Sequence, residues 1–135
     1  MEVIIRAKTV TPEVMAIMHQ LEAIGKTTPT LALMVDDRVV LVPQREIIMF
    51  DVSGVEITMQ TTKKIYHVRG QLKRTLAKLN VNDFVQVSKN AVLNLNYLET
   101  LEASFSGNMM AHLSNGLKVM VSRKYLPALK TKLGM

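Results

Sequence analysis

Residues 84–124 read FVQVSKNAVLNLNYLETLEASFSGNMMAHLSNGLKVMVSRK. Short β-branched and apolar runs alternate in this stretch with polar breaks, and the spacing predicts strands over Phe84–Val87, Tyr97–Ala103, Asn108–Leu113 and Leu117–Val121, with Ser114-Asn115-Gly116 as the last turn. The breaks are also where cations sit. Ser88-Lys89-Asn90 follows the first strand, as a turn or a short helix N-terminus, and Ser122-Arg123-Lys124 follows the last. Beyond it, Ser122 is placed to cap a terminal helix carrying Arg123, Lys124, Lys130 and Lys132.

Upstream, Gly70–Leu79 changes period. Leu72, Leu76 and Leu79 share one face while Lys73, Arg74 and Lys78 occupy the rest, which is a short amphipathic helix. Before it the period is again that of strands: LALMV and RVVLV flank Asp36-Asp37 as a hairpin ended by Pro43. Glu46–Val52, Val55–Thr61 and Lys64–Val68 then extend the antiparallel sheet, broken at Ser53-Gly54 and Thr62-Lys63. At the N-terminus Glu2–Lys8 alternates weakly as a strand. Thr11-Pro12-Glu13 opens a helix whose Val14, Ile17, Met18, Leu21 and Ile24 form one apolar face, with Gly25 as its stop. The polar run Lys26–Thr30 is the expected linker. The chain therefore divides into a small strand-helix unit with linker, residues 1–30, and a mainly β unit, residues 31–135. The fold class is α+β, dominated by antiparallel β with short helices.

Charge separates the two parts of the chain. Residues 1–60 hold 5 Lys/Arg against 8 Asp/Glu, whereas residues 61–135 hold 12 against 3. A net charge of −3 followed by +9 places the basic footprint locally. Such asymmetry points to a polyanionic partner better than the total of +6 does, since any soluble protein carries that much as solvated surface. The plainer reading, that these cations serve solubility alone, stands beside it.

Composition removes several functions. With 135 residues and 48% hydrophobic content there is room for one substantial core and a small appendage. Zero cysteines exclude disulfides, thiolate catalysis and cysteine-bearing zinc sites, and they fit a reducing compartment, so a cytoplasmic location is expected. The N-terminus has no apolar signal segment, and no apolar run approaches the roughly 20 residues a membrane span needs. His19, His67 and His112 lack metal-ligand spacing; surface or core-edge positions account for them, and no metal or cofactor is implied. No nucleophile elbow, glycine-rich phosphate loop or paired carboxylates stand out, so nothing argues for an enzyme. Few aromatics, 3 Phe and 3 Tyr with no Trp, make base stacking on single strands a poor match. The ten methionines are scattered and suit core filling, with a methionine-bearing partner groove as the alternative.

Three turns are therefore candidate contacts for duplex DNA. Lys89 and Asn90, after Ser88, can reach phosphate or a base edge; the ordinary alternative is a solvated turn. Arg123 can pair bidentately with guanine O6/N7 while Lys124 takes a phosphate. Cations there oppose the dipole of a following helix, which weakens a purely structural motive for them. Ser53 and Gly54 offer a weaker, backbone-close contact.

At these residues the chain resembles the LytTR family of bacterial DNA-binding transcriptional regulators, over roughly residues 31–134. The resemblance rests on four motifs in order: RVVLVPQREIIMFDVSG (38–54), VRGQLKRTLAKL (68–79), FVQVSKNAVLNLNYLETLEASFSGNM (84–109) and LSNGLKVMVSRKYLPALKTKL (113–133). Each is degenerate alone, and together they are specific. The resemblance implies an elongated antiparallel β fold whose inter-strand loops enter successive major grooves, and binding as a homodimer to paired promoter repeats. Carried over by position, Lys89 is the basic residue after the family's usual His, Asn90 its small polar residue, Arg123 the arginine of the VSR motif and Lys124 the next basic position. Ser53-Gly54 falls in the first DNA-facing loop. The chain departs from the pattern with Ser88 for the usual His, Ala91 for an aromatic, and a short first loop. A phosphoacceptor receiver domain needs roughly 120 residues, more than residues 1–30 supply, so the resemblance is to a stand-alone member. Such members imply control by a membrane-protein inhibitor encoded nearby. The competing class is a protein-interaction module whose basic half is only solvated.

Overall fold

A computed structural model describes residues 4–6 and 29–135. Strand β1 (Ile4–Arg6) pairs antiparallel with β3, opposing Ile5 to Val39. The helix expected from Thr11, and the linker up to Thr28, lie outside the described residues. β2 (Thr30–Val35) and β3 (Arg38–Pro43) form the expected hairpin around Asp36-Asp37. Both aspartates are left-handed, φ 46° and 63°, the combination a two-residue turn needs to match the twist of its strands.

The hairpin does not continue into the following strands, contrary to the expectation of one growing sheet. A 3-10 turn at Gln44–Glu46 redirects the chain, and β1-β3-β2 remains a sheet of its own. β4 (Ile47–Ser53), β5 (Glu56–Thr61) and β6 (Ile65–Arg69) then open a five-stranded sheet of order β6-β5-β4-β8-β7. Helix α1 (Leu72–Ala77) follows, and β7 (Phe84–Gln86) and β8 (Ala91–Asn94) complete that sheet. A third sheet, β11-β10-β9, is built from β9 (Leu98–Ala103), β10 (Met109–Leu113) and β11 (Lys118–Val121), before helix α2 (Leu126–Lys132). Every pairing among the described strands is antiparallel.

β8 was not among the expected strands. Its four residues are all buried, so it shows none of the alternation by which a half-exposed strand is recognised. The terminal helix also starts later than expected. It begins at Leu126, where Pro127 suits the first turn and no side chain caps it; Ser122 instead contributes its carbonyl to Tyr125 and Leu126 N–H at 2.9 and 3.1 Å.

The five-stranded sheet is covered on both faces. One face packs Phe50, Ile57, Met59 and Val92 against Leu31, Leu33, Val40 and Val42 of the hairpin and Leu72 of α1. The opposite face packs Ile48, Val85 and Leu93 against Ala111, Leu113 and Val121 of the third sheet and Leu129 of α2. Side chains alternate along a strand, so β4 supplies both cores in turn, with a register shift between Ile47 and Met49. The other face of the hairpin, with Ala32, Val39 and Leu41, is buried outside both clusters.

Candidate nucleic-acid interface

The register of β4, β8 and β7 brings two of the chain's turns to one end of the fold. Asp51 opposes Ala91, and the Val52 N–H donates to the Asn90 carbonyl at 2.8 Å, so the Ser53-Gly54 turn begins beside the Ser88-Lys89-Asn90 turn. The latter is closed by Val87 N–H on the Ala91 carbonyl, 2.9 Å, and by Asn90 N–H on Ser88 Oγ, 3.3 Å. Gln86 braces it from within, Nε2 donating to the Ser88 carbonyl at 3.0 Å. It is a turn and not a helix start.

The Ser122-Arg123-Lys124 segment is tied to the same place from the third sheet. Ser122 N–H donates to the Val87 carbonyl at 2.8 Å, so two cationic segments far apart in sequence lie side by side. Between them and α1 runs an open groove of about 750 Å³, lined by Gln71, Leu72, Lys73, Gln86, Lys89, Ser122, Lys124 and Tyr125. Lys73, Lys89 and Lys124 give it three cations and it has no acidic lining residue. Within the described residues none of the three joins a salt bridge. Uncompensated like charges repel one another, and the arrangement is relieved by an anion.

Arg123 points its backbone elsewhere. Its N–H donates to Asn108 Oδ1 at 2.9 Å, and its stem crosses Gly107 so closely that a Cβ there would lie 2.8 Å from Arg123 Cδ. Gly107 has φ +81°, a backbone that favours glycine, and any side chain there would also displace the Arg123 stem. The structure thus places Lys89 and Lys124 in one groove, sets Arg123 against the β9–β10 turn, and leaves Ser88, Asn90, Ser53 and Gly54 along the neighbouring turns, the last three exposed.

Four groups escaped the sequence: Gln71 and Lys73 at the start of α1, Gln86, Tyr125, and the Gly107-Asn108 pair under Arg123. Lys73 reads as the polar face of an amphipathic helix, and only the packing of Leu72 turns it toward Lys89. The FSGN run carried a signal in its glycine and asparagine, both residues that suit tight turns. Helix α1 itself is placed by Gln44, whose Nε2 donates to the carbonyls of Thr30 and Lys78 at 3.2 Å each and whose Oε1 accepts from Asn80 N–H at 3.1 Å.

Other chemistry finds no comparable arrangement. Among the described residues no cluster of His, Asp or Glu could hold a metal ion, and His67 and His112 face Glu56 and Glu102 at 3.5 and 2.9 Å. Tyr97 has its acidity shifted: burial first, then the nearby Glu46, raises its pKa, and its hydroxyl donates to the Arg45 carbonyl. No helix of the described residues is long and apolar enough to cross a membrane.

The fold is an antiparallel β domain with a cation-lined groove beside its Ser88–Asn90 and Ser122–Lys124 turns. Residues 37–134 match the family model described as the LytTr DNA-binding domain, and the chain belongs to the LytTR family. It is 32% identical over 105 residues to the sensory transduction protein LytR of Streptococcus agalactiae, covering 78% of this chain and 43% of that protein. To the sensory transduction protein LytT of Enterococcus faecalis it is 26% identical over 111 residues, 82% of this chain and 46% of that protein. The chain thus spans less than half the length of these relatives. A solved LytTr DNA-binding domain from Bacillus cereus shares the fold, with a TM-score of 0.70 at 16% identity, covering 78% of this chain and 97% of that one.

Proposed function

We propose that this protein regulates transcription by binding promoter duplex DNA sequence-specifically, with the Ser88–Asn90 and Ser122–Lys124 turns entering the major groove and Ser53-Gly54 approaching the backbone beside them. The observation that carries this is the junction of Val87 with Ser122, which sets Lys89 and Lys124 in one groove without a counter-charge, inside a domain of a DNA-binding family. The division of labour follows from side-chain chemistry. Arg123 presents a planar fork suited to guanine O6/N7, while the lysine ammoniums are point charges suited to phosphate. Binding as a homodimer on paired repeats, under control of a membrane-protein inhibitor, completes the proposal.

Selection of bound sequences from random duplex DNA at near-physiological salt, with Arg123→Ala in parallel, tests it. Spaced repeats should be enriched by the wild type, and Arg123→Ala should lose about 1–3 kcal/mol and its preference at one base pair, whereas Lys89→Ala should weaken all duplexes alike. Absence of any enrichment, with binding insensitive to salt, would favour a protein-interaction module instead.

A further inference from the structure

Phe105 is 85% exposed, more than any other large apolar side chain among the described residues. A single exposed apolar residue is ordinary in itself. This one sits on a hydrogen-bonded turn with left-handed backbone. Ser106, though not a glycine, sits at φ 55°, and Gly107 follows at φ 81°; left-handed backbone at a non-glycine residue is strained and persists only where its surroundings impose it. Two hydrogen bonds do so: Asn108 N–H to the Phe105 carbonyl and Ser104 N–H to the Asn108 carbonyl, both 2.9 Å. The same turn supplies Asn108 Oδ1 to the Arg123 N–H and the bare Gly107 backbone to the Arg123 stem. One turn therefore carries the exposed phenyl ring and holds the backbone and stem of Arg123.

We infer that Phe105 contacts a base, packing on the 5-methyl group of a thymine in the major groove beside the base pair that Arg123 reads, with Gly107 and Asn108 as positioning residues for both. Thymine presents the apolar group of the major-groove edge, and an apolar side chain is what recognises it. This inference rests on the DNA-reading assignment of Arg123 given above and adds a specificity-determining neighbour to it.

The test uses the full chain and the duplex enriched by the wild type, with each thymine near the Arg123-dependent base pair replaced in turn by deoxyuridine, which lacks the methyl. Burial of one methyl is worth about 0.8 kcal/mol, or roughly fourfold in affinity, so one replacement should weaken wild-type binding by about that factor. Phe105→Ala should bind the thymine duplex at least as weakly and be indifferent to the replacement, and Phe105→Leu should regain part of the discrimination. Because the ring is exposed, all variants should keep the wild-type melting temperature. Equal deoxyuridine sensitivity in wild type and Phe105→Ala, or wild-type affinity in Phe105→Ala, overturns the inference. So does a change of sedimentation behaviour in Phe105→Ala with deoxyuridine sensitivity intact, which assigns the ring to contact between copies of this chain. Failure of the wild type to enrich any duplex removes the DNA-reading assignment first, and this inference with it.

Discussion

Replacing Lys73, Lys89 and Lys124 together by alanine removes all three cations of the groove and lowers the formal charge from +6 to +3. A protein cation that neutralises a DNA phosphate releases condensed counterions, and each such contact contributes about 0.9 to the slope of log K against log salt. If all three lysines meet phosphates, the slope should become shallower by about 2.7. Between 50 and 200 mM salt the wild type then loses about 40-fold more affinity than the triple variant does. Fluorescence anisotropy with a labelled duplex across that range measures it. The control removes the same charge elsewhere: Arg38 at the hairpin turn, Lys118 at the far end of β11, and Lys130 on α2, each to alanine. The control should keep nearly the wild-type slope, because none of its three residues lines the groove and only cations that meet phosphates contribute to the slope. Equal slopes in the triple variant and the control would refute the groove as the phosphate-binding site and leave only net charge as the source of affinity.

Gln44→Ala should lower stability by about 2–3 kcal/mol in urea unfolding, because two carbonyls and one N–H lose a part-buried partner, and it should also weaken DNA binding by loosening α1 and with it Lys73. Phe50→Ala, at a fully buried ring where β4 meets the hairpin, should cost about 3–5 kcal/mol in the same assay without changing the salt slope of the folded fraction. Tyr97→Phe should cost about 1 kcal/mol at pH 7 through loss of the hydrogen bond to the Arg45 carbonyl. Its pH dependence has a definite sign. The folded pKa is raised above the unfolded value of about 10, so the contribution is fully present below pH 10 and drains away as pH rises through the folded value; melting temperatures above pH 10 should show the wild type losing its advantage over Tyr97→Phe.

Much of the candidate interface was legible because turns are local. A polar break between two strand-like runs is written in adjacent residues, so Ser88-Lys89-Asn90 and the Asp36-Asp37 turn could be placed without knowing any partner. What joins the turns is not local. The groove needs Lys73 from α1 beside Lys89 and Lys124, and that proximity follows from Leu72 packing under the five-stranded sheet and from the Ser122 N–H finding the Val87 carbonyl. The separation into three sheets was hidden for a similar reason. Strand period is the same whether a run extends its neighbour or turns away from it, and here the turning is done by two three-residue 3-10 turns, Gln44–Glu46 and Leu95–Tyr97. β8 escaped because complete burial erases alternation.

That missed strand is the one on which the interface depends. β8 sits between β4 and β7, so its register decides whether Asn90 lies beside Val52 and whether the Ser88–Asn90 turn projects where Ser122 can reach it. A slip of one residue would turn every side chain of β8 to the opposite face, and a strand of four buried residues has no exposed polar position to resist it. Asn94 supplies the resistance. It is 1% exposed, its Nδ2 donates to the Ile47 carbonyl at 2.9 Å beside the irregularity in β4, and its Oδ1 accepts from Asn96 N–H at 2.9 Å. In a shifted register its Nδ2 would lose the Ile47 carbonyl and leave a buried donor unpaired, at a cost of about 1–3 kcal/mol. A polar residue inside an apolar strand thus specifies the pairing that gathers the cationic turns, which ties the geometry of the groove to a side chain on the inner strand that never reaches it.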